Sequence, residues 1–154
     1  MSPSQTSRAS IGKVELAYDL FGDPEHGRPL VLIMGIGAQR VMWDDVLCEQ
    51  FVASGFCVVR FDHRDIGEST RLDARVPDPR RLLVRRMIGA RVDAPYTLSD
   101  MAGDVAGLID ALGFGAAHIV GVSLGGMVGQ HLAIEHPARV RSLVSIMSSP
   151  GARR

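Results

Sequence analysis

Apolar positions follow two rhythms along this chain. From Val14 to Phe21, apolar Val14, Leu16, Tyr18 and Leu20 alternate with polar Lys13, Glu15 and Asp19, the period of two expected of a half-exposed strand near a sheet edge. Gly22-Asp23-Pro24 ends that strand. Leu30 to Met34, Phe56 to Phe61 and the stretch from Ala117 to Val120 are instead continuous apolar runs, which suit strands buried on both faces of a parallel sheet. Ser142 to Met147 predicts a last strand.

Between these runs the apolar spacing becomes helical. Val41 to Phe51 is expected to form a helix that packs Trp43, Val46, Leu47 and Phe51. Leu98, Met101, Val105, Leu108, Ile109 and Leu112 mark a regular amphipathic helix, begun by the capping-box pair Thr97 and Asp100 and stopped by Gly113. Leu124, Met127, Val128 and Leu132 mark another, which ends at His136-Pro137. Strands alternating with helices on short connections imply an α/β architecture with a mostly parallel sheet flanked by helices. Ligands collect at the carboxyl ends of such strands, and the loops at Gly35, Asp62 and Ser123 all lie on that edge.

Composition narrows the partners. The 154 residues carry 46% hydrophobic content and a formal net charge of zero, which suits one globular domain and favours neither nucleic acid nor an anionic membrane. No apolar run reaches the eighteen or so residues that span a bilayer, and Met1 to Ser10 is polar without an apolar core, so residues 1–10 read as a disordered terminus of a cytoplasmic protein. Residues 11–150 are then the domain and 151–154 a short tail. Cys48 and Cys57 are too far apart for a C-x-x-C site and read as reduced structural thiols. Arg80, Arg81, Arg85 and Arg86 around Leu82, Leu83 and Val84 read as a short amphipathic segment with solvated arginines.

The candidate chemistry is concentrated in Gly121-Val122-Ser123-Leu124-Gly125. A serine at the apex of a sharp strand-to-helix turn must adopt a strained backbone, and residues two before and two after it approach so closely that glycine is required at both. Gly121 and Gly125 meet that demand, and Gly126 adds slack. The preceding strand and following helix supply the required context. A phosphate-binding loop is excluded because Lys13 is the only lysine in the chain.

Three segments together resemble the α/β-hydrolase superfamily: Leu32-Ile33-Met34-Gly35-Ile36-Gly37, Phe61-Asp62-His63-Arg64-Asp65-Ile66-Gly67-Glu68-Ser69, and Gly121-Val122-Ser123-Leu124-Gly125-Gly126. Met34-Gly35 with Trp43-Asp44 following is similar to the branch of aclacinomycin-type methylesterases and related carboxylesterases. The resemblance implies that Ser123 is the nucleophile, attacking a small-molecule ester to give an acyl-enzyme that water hydrolyses, with no cofactor or metal. It also implies backbone N–H donors at Leu124 and Ile36 that form an oxyanion hole.

The family's chain order of serine, acid and histidine implies further that the acid, the histidine, a cap and the last strands would lie beyond Arg154, the sheet being truncated after its sixth strand. A base must come within about 2.6 to 3.2 Å of the serine oxygen, and His26, His118, His131 and His136 are expected to lie too far away. His63 sits on the active edge but is read as structuring the polar loop with Asp62 and Arg64. The resulting expectation is a carboxylester hydrolase chain with little activity by itself, or alternatively a non-catalytic binding or interaction module. A cofactor-free haloperoxidase would use the same serine site. Strand 142–147 is expected to expose an apolar edge through which the chain could self-associate.

Overall fold

The computed structural model describes residues 6–72 and 95–150. The arginine-rich stretch from Arg80 to Arg86 and the tail 151–154 lie outside the described residues. In chain order the elements are β1 (Ser7–Ile11), β2 (Val14–Phe21), β3 (Arg28–Ile33), a 3-10 turn (Arg40–Met42), α1 (Asp45–Ala53), β4 (Phe56–Phe61), α2 (Leu98–Ala111), β5 (Ala117–Val122), α3 (Leu124–Glu135), a second 3-10 turn (Pro137–Arg139) and β6 (Val140–Ile146).

The six strands form one sheet in the order β1-β2-β4-β3-β5-β6. β1 and β2 run antiparallel, whereas β3, β4, β5 and β6 are parallel. The continuous apolar runs became the central strands. Val31, Leu32 and Ile33 of β3, and Val58 and Val59 of β4, are fully buried, as expected where helices cover both faces. One face carries α2 and α3, with Val105, Leu108, Ile109, Val128 and Leu132 packed on Leu16, Val31, Phe61 and Ile119. The other carries α1, where Trp43 and Cys48 meet Phe21, Leu30, Leu32 and Val58.

Three expectations need correction. Residues 7–10 are not part of a disordered terminus: Ser7–Ile11 pairs along β2 from Ser7↔Tyr18 to Ile11↔Val14. Of this strand only Ala9 is buried, and Arg8 bridges to Glu15 at 3.0 Å. Backbone pairing of a mostly polar edge strand leaves no hydrophobic trace in the sequence. For the same reason β2 is an interior strand, covered by β1 on one side and β4 on the other. The first helix begins at Asp45, because the Asp44 carboxylate accepts the Val46 N–H at 2.7 Å and caps it there. Val46 consequently points outward and is 61% exposed. The long helix matches its sequence signal closely, with both hydrogen bonds of the Thr97/Asp100 capping box formed.

Candidate active site

The apolar run of β5 and the helical spacing after it meet at Ser123, which is exposed and holds φ 53° and ψ −116°. A positive φ is costly for a side chain with a Cβ, and the surrounding backbone fixes it. The Ser123 N–H donates to Ile146 at the end of β6 at 2.9 Å, and the Ser123 carbonyl accepts from Gly126 at 3.0 Å and Met127 at 3.3 Å. The turn is as crowded as the motif requires. A Cβ at Gly121 would lie 2.7 Å from the Gly126 nitrogen, and one at Gly125 would lie 2.7 Å from the Met34 carbonyl oxygen.

The loop after β3 faces this turn. Gly35 lies so close that a Cβ there would be 3.4 Å from the Cβ of Ser123. Its neighbour Ile36 is 82% exposed, and its N–H has no hydrogen-bond partner among the described residues. Leu124 is the first residue of α3, where a backbone N–H has no intrahelical acceptor. Two unengaged donors therefore flank a serine whose hydroxyl also has no partner among the described residues.

Beside them lies a cavity of about 250 Å³ lined by Ile36, Ile66, Tyr96, Leu98, Met101 and Leu124, with Gly35, His63 and Arg64 also in its wall. Ser123 itself is not in that wall, although Gly35 and Leu124 on either side of it are. The charge in the wall is compensated. Arg64 binds Asp104 through two hydrogen bonds of 2.7 and 2.6 Å and lies 5.2 Å from the centre of the Tyr96 ring.

His63 is on the active edge but is not poised as a base. It is buried, edge-on to Phe61, with Nε2 3.0 Å from the Met34 carbonyl. A carbonyl only accepts, so Nε2 carries the proton and donates it. Burial pulls this imidazole below its ordinary range, against the Met34 hydrogen bond and the charges of Asp104 and Asp62. Its partner is thus the Gly35 loop, not Asp62 or Arg64 as the sequence suggested. Elsewhere, His26 bonds Asp23 at 2.8 Å, His118 bonds Ser142 at 2.8 Å and His131 bonds Glu135 at 2.7 Å, while His136 ends α3.

Sequence reasoning missed a buried ionic network beneath the loop. Arg40 binds Asp19 at 3.1 Å and also Asp62, while Arg60 binds the other oxygen of Asp19 at 2.9 Å and Asp45 at 2.7 Å. Arg40, Arg60, Asp19 and Asp62 are each under 5% exposed. The one available signal was charge inside otherwise apolar strands, at Asp19 and Arg60. Among the described residues no group of His, Cys, Asp or Glu is arranged to hold a metal ion, and no helix is long and apolar enough to cross a membrane.

A strand-turn-helix elbow at the carboxyl edge of a mostly parallel sheet defines a class, and the alpha/beta hydrolase fold family model matches residues 28–152. The chain belongs to that family, which bears out the resemblance read from its three motifs. Among its relatives, rhodomycin D methylesterase DnrP of Streptomyces peucetius is 34% identical over 135 residues, 88% of this chain and 39% of that protein. RutD of Caulobacter vibrioides, named as a carbamate hydrolase, is 37% identical over 141 residues, 90% of this chain and 45% of that protein.

Solved structures agree on the fold. A hydrolase from Pseudomonas aeruginosa PA01 superposes with a TM-score of 0.73 at 35% identity, covering 94% of this chain and 46% of that one. The enol-lactonase from Burkholderia xenovorans LB400 gives 0.67 at 28% identity, covering 89% and 45%. The chain spans less than half the length of each of these proteins.

Proposed function

We propose that Ser123 is the nucleophile of a carboxylester hydrolase that works through an acyl-enzyme. The observation that carries this reading is the strained Ser123, φ 53°, held between two unengaged backbone donors, Ile36 and Leu124. Attack of Ser123 Oγ on an ester carbonyl forms the C–O bond and places negative charge on the former carbonyl oxygen. Ile36 and Leu124 N–H stabilise that charge, the ester C–O bond breaks with the alcohol taking the proton given up by Ser123 Oγ, and water then cleaves the acyl C–Oγ bond, releasing the acid and returning a proton to Ser123. The neighbouring cavity, apolar and smaller than the roughly 300 to 1,000 Å³ usual for drug-sized ligands, suits a short uncharged acyl or alkyl group. The ester-cleaving relative supports the substrate class.

All five histidines of the chain fall among the described residues, and those with ring partners engage groups other than Ser123. The proposal therefore assigns the acid and base of the reaction to residues outside these 154, which leaves this chain a nucleophile without its base. Loss of triad members costs on the order of 10⁶ in turnover in a serine protease. The purified chain is thus expected to be labelled slowly at Ser123 by a fluorophosphonate and to turn over p-nitrophenyl acetate only weakly. Labelling elsewhere, or hydrolysis that survives Ser123→Ala, would overturn the assignment.

A second reading is favoured by one observation. Among the described residues β6 pairs with β5 alone, and Val144, Ile146 and Met147 are 50%, 38% and 82% exposed. Such an edge suits a non-catalytic interaction module that pairs with another copy of the chain. A folded chain that neither reacts with the fluorophosphonate nor cleaves the ester, yet associates, would favour this reading.

A further inference from the structure

The segment 34–40 carries Ile36, yet little within the segment holds its shape. Its single internal backbone hydrogen bond, Ala38 N–H to Gly35 O, is 3.3 Å long, and Ile36, Gly37 and Gln39 are exposed. An oxyanion donor is effective only if already aimed when charge develops, and an unrestrained loop resists that through backbone entropy. Something outside the segment must hold it.

Two consecutive residues at the end of β4 do so, one at each end of the segment. At its start, His63 Nε2–H donates to the Met34 carbonyl at 3.0 Å. At its finish, the Arg40 N–H donates to Asp62 Oδ1 at 2.7 Å, and the Arg40 guanidinium also bonds the Asp62 carboxylate. We propose that Asp62 and His63 are positioning residues that clamp both ends of the Met34–Arg40 loop and so aim the Ile36 N–H at the oxyanion. The clamp rests on the reading of Ile36 as a donor.

The anchor is itself rigid. Asp62 is fully buried, its N–H donates to Ala17 at 2.9 Å, and its carbonyl accepts from Ser69 Oγ at 2.7 Å. Its Oδ2 accepts the Glu68 N–H at 3.1 Å. Gly67 packs so tightly on this carboxylate that a Cβ would lie 2.5 Å from its carbon, which requires glycine where the loop closes over Asp62. His63 is wedged against Phe61, ring centres 5.2 Å apart. Asp62 is fully buried and the Nε2–H of His63 is taken up by Met34, so both act through the loop.

The test compares amide hydrogen exchange in the full chain with that in His63→Leu, which fills the space without a donor, and His63→Gln, which restores an N–H donor. The Ala38 amide, whose bond to Gly35 is the one formed inside the loop, is expected to exchange about tenfold faster in His63→Leu, with β3 and β5 unchanged, and to recover in His63→Gln. Unchanged exchange at Ala38 overturns the clamp, as does a uniform rise across the sheet, which would make His63 a core residue only. Nitrogen NMR of the unmodified chain decides the matter if the variants do not fold. A His63 ring protonated at Nε2 with slow exchange supports the clamp, and one protonated at Nδ1 alone overturns it. Fluorophosphonate labelling is scored separately: an unlabelled Ser123 with His63-dependent exchange sinks the hydrolase reading and leaves the loop clamp standing.

Discussion

At the scale of single residues, the turn around Ser123 tolerates no added carbon. A Cβ at Gly125 would sit 2.7 Å from both the Ile33 carbonyl carbon and the Met34 oxygen, and backbone cannot yield as a flexible side chain can. Gly125→Ala is expected to cost about 3 kcal/mol, the upper end of the usual overpacking range, read as a lower urea midpoint. His63 gives a pH signature with a definite sign. Its folded pKa lies below the unfolded value near 6.5, so on acidification the unfolded chain takes up the proton first. That contribution to stability is complete above about pH 6.5 and is lost as pH falls from there toward the folded pKa. His118, lowered by burial and then by Arg141 and Arg28, acts in the same direction. Urea unfolding at pH 7.5 and 5 should therefore show a smaller acid loss for His63→Leu than for the unmodified chain. Equal losses would mean that His63 is not held neutral in the folded state.

At the scale of elements, the loop after β4 is tied to α2 by the Arg64–Asp104 pair, whose side chains are 13% and 8% exposed. Removing one partner of a buried pair leaves a charge uncompensated, which typically costs about 3 to 5 kcal/mol, whereas replacing both by apolar groups costs less. Asp104→Ala is expected near the lower figure because Arg64 also has the Tyr96 ring. The double variant Arg64→Leu/Asp104→Leu should recover part of the loss in thermal unfolding, and a double variant no more stable than Asp104→Ala would refute this account. Elements with strong local signals were legible in advance. Phe56–Phe61 was read with its observed bounds, and the Thr97/Asp100 cap placed the start of α2. β1 was not legible, because edge pairing uses backbone groups that every residue except proline possesses.

At the scale of the whole molecule, the described residues form a sheet that ends at β1 on one side and at β6 on the other. Leu143 packs toward Gly129 of α3, while Val144 and Ile146, on alternate positions, remain exposed. Self-association through this edge is expected to raise the apparent mass in size-exclusion chromatography as concentration increases, and Val144→Lys should suppress the rise by placing a charge on the edge. A chain that elutes as a monomer at every concentration would count against pairing. Ser123 donates its N–H to Ile146, so the same edge strand also supports the backbone of the elbow serine.

The sequence by itself determined the family, the parallel core and the elbow, because hydrophobic period and glycine spacing are local properties that act within a few residues. It marked Ser123, Gly121, Gly125, Ile36 and Leu124 as a set through the order of their motifs. Only the tertiary structure decided that Asp19, Arg40, Arg60 and Asp62 would share one buried network. Their positions span more than 40 residues, and a lone charge in an apolar strand does not name its partner. It was also the fold, by bringing the end of β4 beneath the loop after β3, that turned His63 from a possible base into a donor to Met34. Which hydrogen bond a histidine makes depends on what packs against it, and no spacing along the chain carries that information.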